Sequence, residues 1–205
     1  MSLEKKYVKP TYEIISKHFD HTRHYKWSFV TDFIESHKKN SLIYDIGCGN
    51  GRNMLYEDYN FIGVDNCENF INICLNKNLV CHQADMCNLP FKDNTCDGVI
   101  NIASFHHLDT IDRRMKALKE MARVCKAEGK IMITIWSKNQ PKKTKRIFEK
   151  YGDNMVDYNK EGVIYKRYYY IFQLEEIKNL FTQCDLKILS HEYNCGNEIF
   201  ILTQF

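Results

Sequence analysis

Leu42-Ile43-Tyr44-Asp45-Ile46-Gly47-Cys48-Gly49-Asn50-Gly51 is the stretch that decides how the rest of this chain is read. A short apolar run, preceded by the polar Lys38-Lys39-Asn40-Ser41, ends in three glycines at alternate positions. That pattern is a buried strand followed by a turn whose backbone can fold tightly and approach a ligand with no side chain in the way. Outward from it, 61–65 reads as a second strand, 70–77 as a helix and 79–84 as a third strand; 97–102 is a fourth strand, 111–124 a helix and 130–136 a fifth strand. Strands alternating with helices imply βαβ units and a parallel sheet covered on both faces. Upstream, apolar residues at helical spacing (Tyr12, Ile15, Phe19; then Phe29, Val30, Phe33, Ile34) predict two helices joined by a polar, aromatic link over 18–27. Downstream, 174–181 reads as a helix. Strands over 186–193 and 198–203 flank Asn194-Cys195-Gly196-Asn197, a tight turn and hence an antiparallel hairpin on the sheet edge. The expectation is an α/β domain of seven strands, five parallel and then the hairpin.

Composition narrows the class. With 205 residues, 13% of them aromatic, and a formal net charge of +3, the chain suits one elaborated domain and neither a disordered segment nor a polybasic tail protein. The charge permits nucleic acid as a partner without arguing for it. Nine cysteines is an odd number, and no two stand at C-x-x-C spacing, so neither a metal site nor a disulfide framework is expected. The start, Met1-Ser2-Leu3-Glu4-Lys5-Lys6, has no apolar leader, and no apolar run approaches membrane-spanning length. The expectation is a soluble, cytoplasmic protein with reduced thiols.

The glycines read G-x-G-x-G with an acid, Asp45, two residues ahead. A helix is expected to follow the turn and present its N-terminal amides there, and in the dinucleotide pattern G-x-G-x-x-G a pyrophosphate occupies that spot. An acid would repel a phosphate and suits a cationic ligand, which points to S-adenosylmethionine with its ammonium and sulfonium. The companions agree. Asp65 closes the second strand, placed for both hydroxyls of a ribose, and Asp85 closes the third, placed for the adenine amino group with Met86 against the ring. Asp at strand ends also starts turns, so Asp85 alone carries less weight than the set.

These residues resemble the class I S-adenosylmethionine-dependent methyltransferases, which implies a Rossmann-like seven-stranded, mostly parallel sheet with the C-terminal antiparallel hairpin and helices on both faces. The resemblance extends to one subfamily through Tyr12-Glu13-Ile14-Ile15-Ser16-Lys17-His18-Phe19-Asp20-His21-Thr22-Arg23 with Trp27, Ala103-Ser104-Phe105-His106-His107, Trp136, and Arg167-Tyr168-Tyr169. That subfamily is the eukaryotic tRNA wobble-uridine carboxymethyl methyltransferases, which esterify 5-carboxymethyluridine. The chain departs from it at Asp20, where serine is usual, at Ser28, where proline is usual, and in a short 137–166 segment.

The resemblance implies a single domain: a substrate-side helical segment (1–40), a cofactor core (41–136), a variable basic loop (137–166), and the last helix and hairpin (167–205). It implies that Asp45, Gly47, Gly49, Gly51, Asp65, Asp85, Met86 and Ala103 hold the cofactor; that Arg23, His107 and Arg167 serve the reaction; and that Trp136, Tyr168, Lys142, Lys143, Lys145 and Arg146 contact the tRNA anticodon loop. It also implies a small zinc-binding activating subunit on the third-strand edge, 79–84, which would bring any zinc itself. Read without the family, two arginines in one pocket favour a carboxylate acceptor. His107 and Trp136 also read as core residues, Arg23 as a surface arginine or cap, and the lysine-rich stretch as a solvated face. Two other functions compete: a small-molecule or lipid methyltransferase using His107 as a general base, and a non-catalytic RNA-binding scaffold.

Overall fold

The computed structural model describes residues 2–23, 25–144 and 146–205. Five strands run parallel: β1 (Leu42–Ile46), β2 (Asn60–Asp65), β3 (Cys81–Gln83), β4 (Cys96–Ile102) and β5 (Cys125–Trp136). A C-terminal hairpin of β8 (Leu186–Asn194) and β9 (Asn197–Gln204) adds antiparallel to β5, giving the order β3-β2-β1-β4-β5-β9-β8. The expected seven-stranded sheet is present, with β3 shorter than its predicted span.

Alternation along β1 divides the core. Tyr44 and Ile46 pack with helix α5 (Ile111–Val124) and helix α6 (Leu174–Gln183), through Leu118, Met121, Leu180 and Phe181. Ile43 faces the other way, onto Phe29, Val30, Phe33 and Ile34 of α3 (Ser28–Glu35). On that second face α4 (Glu68–Asn76) contributes Cys74. Both faces are therefore covered, as a parallel sheet requires.

Ahead of these lie α1 (Leu3–Tyr7) and α2 (Lys9–His21). The unusual residues of this region have local reasons. Ser28 is the first residue of α3, a position that proline also tolerates because its missing N–H would be unpaired there in any case. Asp20 accepts a hydrogen bond from Asn50 Nδ2 (2.8 Å) and pairs with Lys77 (2.6 Å), tying α2 to the glycine turn and to the end of α4. A serine could not form that ion pair.

Two expectations fail. The glycine turn leads into only a short 3-10 turn, Arg52–Met54, not a helix, because β2 begins eight residues later. Its amides are spent inside the fold: Gly47 and Cys48 donate to Val64 O (2.7 and 3.0 Å) and Gly49 to Asp65 Oδ2 (2.9 Å). The second failure is the basic loop. Residues of 137–166 and the start of the next segment form a separate antiparallel hairpin, β6 (Gly152–Lys160) and β7 (Val163–Ile171). Glu161 and Gly162, both at positive φ (53° and 88°), make its two-residue turn. The hairpin is moored to α2: Thr11 Oγ1 donates to Lys166 O (3.0 Å), Lys160 Nζ to Ile14 O (2.9 Å), and His18 Nδ1 bonds Tyr158 OH (2.8 Å).

Candidate active site

A cavity opens at the carboxyl ends of the parallel strands, lined by Gly47, Gly49, Asp65, Asp85, Met86 and Ala103 among others. Gly47 must be glycine: its φ is +79°, and a Cβ there would lie 2.0 Å from Ser104 Oγ. Asp65 accepts amide hydrogen bonds from Gly49 on Oδ2 and Cys67 on Oδ1, both 2.9 Å, which aims its carboxylate across the cavity. Burial nonetheless raises its pKa. Asp85 differs, because burial alone would raise it but the Cys87 amide and the Arg113 guanidinium hold it below the usual carboxylate range. Arg113 bridges Asp85 (2.9 Å) to Glu4 of α1 (2.9 Å), so the N-terminal helix is latched across this end of the cavity.

Asp45 and Gly51 stand behind the wall instead of in it. Asp45 is fully buried and neither carboxylate oxygen has a hydrogen-bond partner. Desolvation, with the neighbouring Asp65 charge adding to it and Arg52 opposing, pushes its pKa up to about 7. An unpaired buried acid is costly, and a cation supplied by a ligand is what would relieve it.

His107 also lines this cavity. Its Nδ1 lies 2.7 Å from Tyr168 O, which can only accept, so Nδ1 carries the hydrogen and Nε2 accepts from Tyr12 OH at 3.0 Å. Tyr169 OH is 3.3 Å from the Tyr12 oxygen. Burial holds the His107 pKa down to about 3, with Arg167 adding to the effect. It is therefore a neutral, pinned imidazole that orients Tyr12. Sequence reasoning misses Tyr12 as a site residue because its spacing reads as helix core.

The second cavity, about 680 Å³, lies between the end of α2 and the β6–β7 hairpin and is lined by Arg23, Arg146, Lys166, Arg167, His18 and Tyr158 among others. Among the described residues none of these three arginines has a carboxylate partner. Among the described residues Arg23 donates only to Thr22 O (3.0 Å), and it lies over Phe19. Arg167 is 5% exposed, its Nε is unpartnered, and it lies over the rings of Tyr158 and Tyr169. Burial would lower its pKa, but the hydroxyls of Tyr169 and Tyr12 hold it above its ordinary value. Burial, together with repulsion from Arg167 and Arg23, lowers that of Arg146.

Arg146 reaches the cleft by lying 4.0 Å over the Trp136 ring, which stacks on Tyr169 at 4.2 Å and 6°. Trp136 is thus occupied as a support and has no open face for a base. Tyr168 also leaves the expected set. Alternation along β7 sends Arg167 and Tyr169 one way and Tyr168 the other, where its hydroxyl donates to Asp153 (2.7 Å) and its side chain is fully buried. Lys142 is exposed in the 3-10 turn Lys142–Thr144. Lys145 lies outside the described residues, as does the side chain of Lys143.

This sheet order, with a glycine turn and acids at its carboxyl edge, is that of a nucleoside-cofactor transferase, and the comparisons name the class. A family profile described as a methyltransferase domain matches residues 44–133. A protein of Encephalitozoon cuniculi named "Putative methyltransferase ECU09_1500" is 32% identical over 197 residues, covering 92% of this chain and 90% of that one. A solved S-adenosylmethionine-dependent methyltransferase from Clostridium acetobutylicum superposes with a TM-score of 0.69 at 16% identity, covering 93% of this chain and 96% of that one. The chain belongs to the class I S-adenosylmethionine-dependent methyltransferases. Within that class it is similar to the tRNA (carboxymethyluridine(34)-5-O)-methyltransferase of Arabidopsis thaliana, 43% identical over 139 residues, 67% of this chain and 34% of that one. A mouse protein of the same activity name, ALKBH8, is 34% identical over 147 residues, 71% of this chain and 22% of that one. The chain thus spans about a third or less of the length of these two relatives. A chain of the complex between the Haloferax volcanii Trm112 methyltransferase activator and a methyltransferase shares the fold, with a TM-score of 0.68 at 12% identity over 94% of this chain and 97% of that one.

S-adenosylmethionine fits the first cavity. The unpaired Asp45 carboxylate behind the glycine turn biases the cavity towards a cationic ligand, Asp65 retains lone pairs for ribose hydroxyls, and Met86 and Phe70 offer apolar surface to the adenine. No metal site accompanies it: among the described residues no group of three His, Cys, Asp or Glu side chains is placed to hold an ion. Nor, among them, is any helix long and apolar enough to cross a membrane.

Proposed function

We propose that this chain transfers the methyl group of S-adenosylmethionine to the carboxylate of 5-carboxymethyluridine at the wobble position of tRNA. The observation that carries the reading is the cleft in which Arg23, Arg146 and Arg167 converge without a carboxylate partner, next to the cofactor cavity. Guanidinium groups left unpaired in a recess call for an anion, and their planar fork suits a carboxylate. The activity in the names of the Arabidopsis and mouse relatives supplies that anion.

The chemistry needs little from the protein beyond placement. A carboxylate is already ionised at neutral pH, so no general base is required, and a pinned neutral His107 matches that demand. The bound cofactor supplies an activated methyl group. Arg23 and Arg167 hold and aim one carboxylate oxygen and leave the other free to attack in line. Alignment of this kind recovers on the order of 7–11 kcal/mol of barrier. Opposite charges vanish as the reaction proceeds, so pairing both oxygens tightly would favour the ground state. The buried Arg167 and the aromatic floor of Tyr158 and Tyr169 keep water away from the pair. Lys142, exposed in its 3-10 turn, extends the positive surface for anticodon-loop phosphates.

The same reading includes an activating subunit on β3. That strand has a neighbour on one side only, and exposed Val80 and Leu75 lie beside it with no lysine or proline in 79–84 to protect the edge. The Trm112 complex of like fold supports a partner of this kind. Incubating hypomodified tRNA with the chain, activator and S-adenosylmethionine tests the proposal. Nucleoside mass spectrometry should show one added methyl, released by mild alkali as an ester is. Methylation of a small-molecule pool with no change in tRNA would overturn it.

A further inference from the structure

Arg23, Arg146, Lys166 and Arg167 give the acceptor cleft a surplus of hydrogen-bond donors. They suit any small organic acid and do not tell apart the rings that carry one. A side chain in the same cleft that can only accept is therefore informative.

Asn154 of β6 is such a group. It lines the cleft, its register partner on β7 is Tyr169, and Val156 stands opposite Arg167. Residues directly opposite share a face of a sheet, so Asn154 lies on the Arg167 side as its diagonal neighbour, with Cα atoms about 7–8 Å apart. The amide has one orientation. Its Nδ2 donates to Gly152 O (2.8 Å) and Lys150 O (3.2 Å), two carbonyls that only accept, which spends both amide hydrogens and fixes which end is oxygen. Among the described residues Oδ1 accepts no hydrogen bond. The other side-chain carbonyls of the cleft are placed differently. Asn159 Oδ1 is taken by the Gly162 amide (2.8 Å), and alternation puts Asp157 on the opposite face, across from Lys166. Ile147, 85% exposed, lines the same cleft and offers a flat ring an apolar surface.

A pinned acceptor beside a buried guanidinium asks for an anion and, a ring's breadth away, an N–H. A uracil acidified at C5 carries both, since only the C4 carbonyl separates N3–H from C5. Cytosine presents a bare lone pair at N3, which Oδ1 would repel.

We propose that Asn154 reads the base: its Oδ1 accepts the N3–H of the wobble uracil while Arg167 holds the carboxylate on C5. This rests on 5-carboxymethyluridine being the acceptor and adds how its ring is chosen.

Three anticodon stem-loop RNAs test it, alike except for 5-carboxymethyluridine, its N3-methyl derivative or 5-carboxymethylcytidine at the wobble position. Each is incubated with the chain, the activating subunit and tritiated S-adenosylmethionine. All three keep the carboxylate, and only the first keeps the N–H. kcat/KM should be about 10- to 100-fold lower for the second and third, the range expected when a hydrogen-bonding site meets an analogue that cannot pair. Asn154→Ala should slow the first RNA about 10-fold and bring the ratio between the first two within about threefold. Wild-type protein that methylates the first two RNAs equally would overturn the inference and leave the reaction standing, a comparison that needs no variant to fold. An Asn154→Ala protein slowed on all three with its ratios intact would mark a strut for the backbone at Lys150 and Gly152, and overturn it too. So would discrimination lost in Asp157→Asn and kept in Asn154→Ala. Methyl transfer to none of the three RNAs would overturn the reaction itself, and the inference with it.

Discussion

Replacing Asp45 with asparagine should make the cofactor-free protein more stable at pH 8 and remove part of its pH dependence. The folded pKa of Asp45 is pushed from 3.8 to about 7, so between those values the folded chain keeps a proton that the unfolded chain has released. Stability from this group is fully present below about pH 3.8 and is lost as pH rises towards 7. At 1.36 kcal/mol per unit the loss amounts to about 4 kcal/mol at most. An asparagine side chain cannot ionise, so the stability difference between variant and wild type should be near zero at pH 4, grow steadily to pH 7 and level off above it. Urea unfolding of both proteins across pH 4 to 8.5 gives that difference curve, in which the other titrating groups largely cancel. Saturating S-adenosylmethionine should reduce the wild-type disadvantage, because a cation in the cavity favours the ionised form of Asp45 behind the glycine turn. A variant less stable than wild type at pH 8, with a flat difference curve, would show that Asp45 is already satisfied in the folded chain.

Gly47→Ala should abolish cofactor binding and lower stability by about 2 kcal/mol or more, since the new Cβ collides with Ser104 at a left-handed backbone position; thermal melting and calorimetry read the two effects. Arg23→Ala should cut turnover at saturating tRNA on the order of 100-fold with cofactor Kd unchanged, whereas lost tRNA affinity with full turnover would remove its aiming role. Turnover should show no titration near pH 6.5 in the wild type, because His107 is held neutral with a pKa of about 3; a pH–rate profile with a break there that disappears in His107→Gln would show a working base. Val80→Lys should weaken binding of the activating subunit in pull-down while leaving S-adenosylhomocysteine affinity unchanged, because Val80 lies at the exposed β3 edge and outside both cavities.

The residues expected at the cofactor are strung along the chain by the fold's own repeat: Asp45 lies near the end of β1, Asp65 ends β2 and Asp85 follows β3, and the glycines announce the turn after β1. Local pattern sufficed for helix α5 and strand β1, whose bounds match their predicted spans. The second hairpin was not legible. The half-buried positions of β6 include Gly152, Asn154 and Lys160, so no apolar alternation marks the strand, and Glu161-Gly162 is a weaker turn signal than Asn-Gly.

Sequence alone pointed to the class of this protein, since the succession of strands and helices and a glycine turn flanked by acids are local patterns and those residues resemble one family. Only the tertiary structure decided the acceptor side. It took the mooring of β6–β7 to α2 to bring Arg146 and Arg167 beside Arg23, more than a hundred residues away in the chain. It took strand alternation to turn Tyr168 inward, and stacking on Tyr169 to make Trp136 a support. Which charges pair and which stay bare is a matter of distance, and so Asp85 meets Arg113 while Asp45 and Arg52 are held apart.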